Sequence, residues 1–161
     1  RDSKEQARKA AERGTAIHVA IEQFFATGKA ETYQAEVTMV AAALLEKYKL
    51  QSWLAEKSFA SPLGFGCKID LVSFEVILDF KTKEFSGTDK KLAWDEHAMQ
   101  LAANRMAADL PNARCGNVFV STSVPGLVHV HEWDEKDLTR AWRKFEALLD
   151  YWKADRDYYP S

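Results

Sequence analysis

Asp70 and Asp79 each lie inside a short run of apolar, β-prone residues, Cys67-Lys68-Ile69-Asp70-Leu71-Val72 and Val76-Ile77-Leu78-Asp79-Phe80-Lys81. A charge in such a strand is costly unless it has a partner, so each needs a reason. Residues two apart share a strand face, which puts Asp79 and Lys81 side by side. If the two runs turn at Phe74-Glu75, Asp70 falls opposite Asp79, with Cβ atoms about 5 Å apart. Phe-Glu is a poor two-residue turn, so a one-residue slip or a wider loop is the alternative. Carboxylates this close repel unless a proton or a cation sits between them, and hard oxygen ligands favour Mg²⁺ or Mn²⁺ over zinc. Lys81 could offset the charge of a phosphate, or help orient and deprotonate an attacking water. The chemistry expected is metal-assisted hydrolysis of a phosphodiester. The plainer reading is a structural Asp-Lys pair, since acid-x-Lys also occurs at Asp2-x-Lys4, Asp89-x-Lys91 and Asp134-x-Lys136; only Asp79 adds an apolar strand and an acidic hairpin mate.

The elements that would position these residues are legible from periodicity. Ser3 to about Ala26 predicts a helix, with Ala7, Ala11, Ile17, Ile21, Phe24 and Phe25 as its apolar stripe and Gly28 as its stop. Gly14 in mid-helix implies a close backbone approach or a break. A second helix is expected from Glu31 to about Tyr48, facing inward with Val37, Val40, Ala41, Leu44, Leu45 and Tyr48. Ser52–Ala60, Gly64–Val72 and Val76–Lys81 read as a three-stranded meander. A helix follows over Leu92–Leu110, then strands at Asn117–Ser123 and Leu127–Trp133 about a Val124-Pro125-Gly126 turn. The last helix runs from an Asp134 N-cap to about Asp155, with Leu138, Trp142, Phe145, Leu148, Leu149 and Trp152 as its inner face. The fold class is α/β, a small mixed sheet covered by helices in the order ααβββαββα, with residues 1–161 as one domain.

Composition narrows the classes. The 161 residues are 47% hydrophobic and 29% charged, as in an ordinary globule, and no stretch approaches the roughly 20 apolar residues that span a bilayer. The 22 basic and 24 acidic residues nearly cancel, so nucleic-acid binding would have to be local. Two cysteines make neither a disulfide framework nor a metal-thiolate site, and a reducing, cytoplasmic compartment is expected. No signal peptide opens the sequence; it begins at Arg1, so some upstream residues are expected to be missing.

Taken together, five pieces resemble the PD-(D/E)XK nucleases, and within them the RecB-type exonuclease branch: Gly14-Thr15-Ala16-Ile17-His18 followed by Glu22; Glu56 at a strand start; Gly66-x-x-x-Asp70; Asp79-Phe80-Lys81-Thr82; and Gln100 on the next helix. They span residues 14 to 104 in the branch's order. The resemblance implies a restriction-endonuclease-like core, with Asp70, Asp79, the Phe80 carbonyl and His18 holding one or two Mg²⁺ or Mn²⁺ ions. It further implies Lys81 in catalysis and Gln100 orienting substrate or the lysine. Asn104 stands where the branch carries Tyr, so that residue's role is not carried over. The four cysteines of cluster-bearing relatives are absent, and no iron-sulfur cluster is implied.

Each candidate also has a structural reading. His18 could be a packing residue paired with Glu22 at i+4. Glu22 and Glu56 are accessory candidates, Glu56 reaching a second metal or pairing with Lys57 or Arg13. His129 and His131 share a strand face without a usable third ligand and read as solvated. Trp133, Trp142 and Trp152 read as packing, whereas Trp53 and Trp94 could stack on bases. Arg1, Lys4, Arg8, Lys9 and Arg13 on the first helix, with Lys81, Lys83, Lys90 and Lys91, form either a solvated face or a phosphate track; the DNA path would take in Arg8, Lys9, Arg13, Gly14, Thr15, Thr82 and Lys83. The Glu84–Lys91 loop is placed to cover substrate. The resulting expectation is a metal-dependent exonuclease acting on single-stranded DNA or DNA with free ends in replication, recombination or repair, in a bacterial or phage setting, with a recombination or replication protein as a further partner. The alternatives are a structure-selective or restriction-like endonuclease, or a catalytically silent module that binds DNA or protein.

Overall fold

The computed structural model describes residues 2–87 and 91–158. Arg1, Thr88, Asp89 and Lys90 therefore lie outside the described residues, and with them part of the expected phosphate track and of the Glu84–Lys91 loop. The element order is the expected one: α1 (Asp2–Thr27), α2 (Gln34–Tyr48), β1 (Leu54–Ala60), β2 (Gly66–Val72), β3 (Val76–Lys83), α3 (Asp95–Ala107), β4 (Arg114–Ser121), β5 (Val128–Trp133) and α4 (Glu135–Asp155). The five strands form one mixed sheet in the order β1-β2-β3-β4-β5, with β3 and β4 parallel and the other neighbours antiparallel. A parallel neighbour needs a crossover, and α3 supplies it.

β3 is central and buried on both sides, which is why it reads as a nearly continuous apolar run and why Asp79 within it stands out. On one side Leu78, Phe80, Val118 and Val120 pack against Ile17, Ile21, Val40 and Leu44 of α1 and α2. On the other, Ile69, Ile77 and Cys115 pack against Leu101 of α3 and Leu138 of α4. Among the described residues no helix is long and apolar enough to cross a membrane.

Several boundaries and faces differ from expectation. α2 starts at Gln34 because Tyr33 is left-handed at φ 49°. α3 starts at Asp95, where the backbone N–H of Trp94 donates to His97 Nδ1 at 3.1 Å, a cap supplied from inside the helix. Leu45 on α2 is exposed. The α4 stripe is covered only at its start: Leu138 and Ala141 are buried, Trp142 and Phe145 are half-buried beside Phe65, and Leu148 is 58% exposed. The 21-residue α4 outruns the 13-residue α3 on which it packs, so its last turns, with Trp152, extend past the support.

α1 is unbroken at Gly14, and the close approach is to β3. A Cβ built there would lie 2.6 Å from Thr82 Oγ1. Gly14→Ala should therefore lower stability despite the helix propensity it gains, by about 1–2 kcal/mol net, and Thr82→Ala added to it should restore most of the loss. Thermal melts of the three variants check this.

Candidate metal centre

The site lies where β2 and β3 part. Their ladder joins Leu71 to Leu78 and Val72 to Ile77, the register that sets Asp70 toward Asp79. The unfavourable Phe74-Glu75 turn is stabilised from the side: Ser73 Oγ accepts from the backbone N–H groups of Glu75 and Val76 at 3.3 and 3.1 Å. Past Leu71 the pairing gives way, and Asp70 Oδ2 accepts from the Phe80 N–H at 2.8 Å. On the outer side the β1–β2 ladder runs through Ala55–Leu71 and Lys57–Ile69, with Glu56 between them in a left-handed conformation at φ 52°. Alternation fails here, since Ile69 and Val72 enter the same core while Leu71 enters the other. The irregularity frees Asp70 to reach toward α1.

From α1, one turn beyond Gly14, His18 meets it. Its Nε2 lies 2.9 Å from Glu22 Oε1 and 3.5 Å from Asp70 Oδ1. Neither oxygen is aligned for a ring hydrogen bond, so this buried nitrogen has no hydrogen-bond partner. A nitrogen flanked by two carboxylates suits either an imidazolium proton or a divalent cation. His18, Glu22 and Asp70 each bring one ligand atom within 4.8 Å of the others. Glu22, an accessory candidate by sequence, is thus a full member of the trio.

Asp79 stands against Asp70 on the α3 side. Its Oδ2 takes Lys81 Nζ at 3.1 Å and Asn117 Nδ2 at 3.2 Å, and its Oδ1 takes Gln100 Nε2 at 3.4 Å. Gln100 Oε1 also accepts from Lys81 Nζ at 3.3 Å, so one glutamine side chain holds both. Asn117 is fixed in turn by Trp133 Nε1 at 2.8 Å. Sequence reasoning missed Asn117, although it carries the same signal as Asp79, a polar residue in mid-strand with apolar neighbours.

Electrostatics follow from crowding. Burial, and then the Asp70 charge, push the Asp79 carboxyl up to about 7, against the pull of Lys81. Burial and neighbouring Glu56 push Glu22 up to about 7, against His18. Asp70 is desolvated too, but His18, the Phe80 N–H and Asp79 together bring it below the usual carboxylate range. Asp70 in return raises His18. Near neutral pH the metal-free cluster therefore holds protons that a cation must displace. Mn²⁺ affinity should rise between pH 6 and pH 8 with more than one proton released per ion, as calorimetry in buffers of different ionisation enthalpy would measure.

A cavity of about 310 Å³ opens over Gly14, His18, Glu22, Glu56, Lys68 and Thr82. Farther along α1 a second, of about 390 Å³, lies between Ala7, Ala10 and Arg13 and the Thr122-Ser123 segment. This accounts for the expected stripe residues Ala7 and Ala11 being exposed: they line open space beside the sheet.

The same arrangement of helices and strands occurs in the crystal structure of a "putative exonuclease" from Eubacterium rectale. The TM-score is 0.61 at 11% identity over 91% of this chain and 69% of that one. The structure of SSO0001 aligns with a TM-score of 0.37 at 16% identity, over 68% of this chain and 55% of that one. No protein-family model matches the chain, and no curated protein matches it. What this chain shares with the Eubacterium rectale protein at 11% identity is the fold.

The remaining candidates are less concentrated. Glu56 pairs with Lys68 at 2.9 Å, and the expected partners Lys57 and Arg13 are not used, because its left-handed backbone turns it across to β2. Arg8 is held by Glu5 and Glu12, both at 2.6 Å, and Lys9 lies 3.9 Å from Glu5, so acids of the same helix balance these cations. Arg13 donates to the Thr122 carbonyl at 2.9 Å, Thr15 Oγ1 to the Ala11 carbonyl, and Lys83 Nζ to the Leu92 carbonyl. Trp53 packs edge-on to Tyr48, whereas Trp94 is 47% exposed with Lys91 Nζ 4.4 Å from its ring centre.

Proposed function

We propose that this chain is a metal-dependent DNA nuclease of the PD-(D/E)XK kind, acting from free ends. The observation that carries the reading is the fork itself: Asp70 and Asp79 facing each other at the parting of β2 and β3, with Lys81 beside one and His18 and Glu22 beside the other. His18, Glu22 and Asp70 would hold a divalent cation, with Asp79 and the Phe80 carbonyl completing its surroundings. Mg²⁺ or Mn²⁺ suits a set with one nitrogen and several carboxylate oxygens. Bound there, the cation supplies charge neutralisation at the scissile phosphate and a lowered pKa for the attacking water.

The chain's own residues do the rest. Lys81 sets its ammonium against the developing phosphate charge, and Gln100 keeps that ammonium from collapsing wholly onto Asp79. Asn117, anchored by Trp133, fixes the Asp79 carboxylate so that it faces Asp70 without rotating away. The cavities along α1 give a strand end a path to His18, with affinity drawn from phosphates and therefore falling steeply with salt. End-labelled linear DNA and a covalently closed single-stranded circle test the mode of attack. The linear strand should be degraded and the circle left intact; efficient cutting of the circle would make the chain an endonuclease.

A further inference from the structure

We propose that the cavity between residues 85–87 and 91–93 on one side and β5 on the other is a pocket for an unpaired nucleobase, with His129 and His131 forming one wall. The proposal rests on the reading of the substrate as DNA. The cavity is about 360 Å³, at the small end of ligand sites, and is walled by Phe85, Leu92 and Leu127 with Lys91 and the two imidazoles as its polar groups. An apolar slot with a cation at its edge fits a flat heterocycle that carries a phosphate.

Its place on the sheet ties it to the metal centre. Asp79 on β3 is in register with Asn117 on β4, and Asn117 with His131 on β5; Lys81, Phe119 and His129 form the next such row. Neighbouring strands lie about 4.8 Å apart, so the histidines are about 10 Å from the catalytic pair across one face of the sheet. His129 lies nearly parallel to Phe119, at 21° and 6.4 Å between ring centres, and is itself exposed, so a base can stack on it over a buried aromatic support. His131, held below its ordinary pKa by burial and by His129, is neutral at pH 7 and can donate or accept at a base edge. Trp94 follows the lining residues 91–93 and is exposed, with the lining Lys91 over its ring. The pair of histidines that makes a poor metal site thus makes a stacking wall.

Two measurements on the full chain in EDTA, where nothing is cleaved, test this. In ¹H–¹³C spectra the His129 and His131 ring signals should move on addition of thymidine 5′-monophosphate and stay in place with ribose 5-phosphate. In fluorescence anisotropy a labelled twelve-thymidine strand should bind roughly tenfold more tightly than the same strand with abasic residues. His129→Ala should remove most of that difference, as should Ala93→Phe, which fills the cavity; His129 is exposed, so its variant is expected to fold even if the second does not. Ring signals that ignore the nucleotide, or respond equally to ribose 5-phosphate, would overturn the pocket, as would equal affinity for the abasic strand. Base-dependent binding by a protein that cleaves nothing would keep the pocket and remove the nuclease reading; cleavage with silent histidines would do the reverse.

Discussion

Asp79→Asn is expected to abolish DNA cleavage, lowering turnover on the order of 10³-fold or more, while the metal-free protein becomes more stable at pH 8. The first effect follows from removing a carboxylate from the metal's surroundings and from beside Lys81. The second follows from proton linkage. Asp79 titrates at about 7 in the fold against an ordinary value of 3.8. Between those values the folded chain keeps a proton that the unfolded chain has lost. The associated stability is full below about pH 4 and gone once the pH has passed through 7. At pH 8 wild type bears the cost of a buried charge beside Asp70, on the order of 4 kcal/mol; the asparagine does not, and it can donate to Asp70. Its melting temperature should exceed wild type by several degrees at pH 8 and by little at pH 5. A fully active Asp79→Asn protein would mean that the site is elsewhere. Asp70→Asn should be equally inactive without the same gain, because the Asp70 carboxylate is stabilised in the fold by His18 and the Phe80 N–H.

Lys81→Ala is expected to cut the single-turnover rate by roughly 10²- to 10³-fold with a metal still bound. Its ammonium touches Asp79 and Gln100 and none of His18, Glu22 and Asp70, so the trio survives its loss. Without that cation Asp79 holds its proton more tightly, and the residual activity should shift toward higher pH. Lys81→Arg should not rescue, since a planar fork replaces a compact charge between two fixed partners. Calorimetry at saturating Mn²⁺ together with rates over pH 6–9 separates this from simple loss of the metal.

The parts of this arrangement that local rules govern could be read from the chain. The β2–β3 register followed from alternation plus a turn at Phe74-Glu75, and the shared face of Asp79 and Lys81 from period two alone. Gly14 signalled either a close approach or a break; α1 is unbroken, and Thr82 proved to be the close neighbour. What escaped depended on contacts between elements. Glu22 could be paired with His18 at i+4, but that Asp70 meets both depends on how α1 lies across β2 and β3, and no pattern in the sequence marks that. The exposed end of α4 followed from the length of α3, which amphipathicity does not report. His97 capping its own helix in place of an N-cap side chain hid the start of α3.

The most direct test is to incubate end-labelled linear DNA with the protein in Mg²⁺ or Mn²⁺, in excess EDTA, and with Asp79→Asn in place of wild type. Degradation with either metal, none in EDTA and none by the variant is the predicted result. Undiminished cleavage in EDTA, or no cleavage of any strand with either metal, would contradict the account.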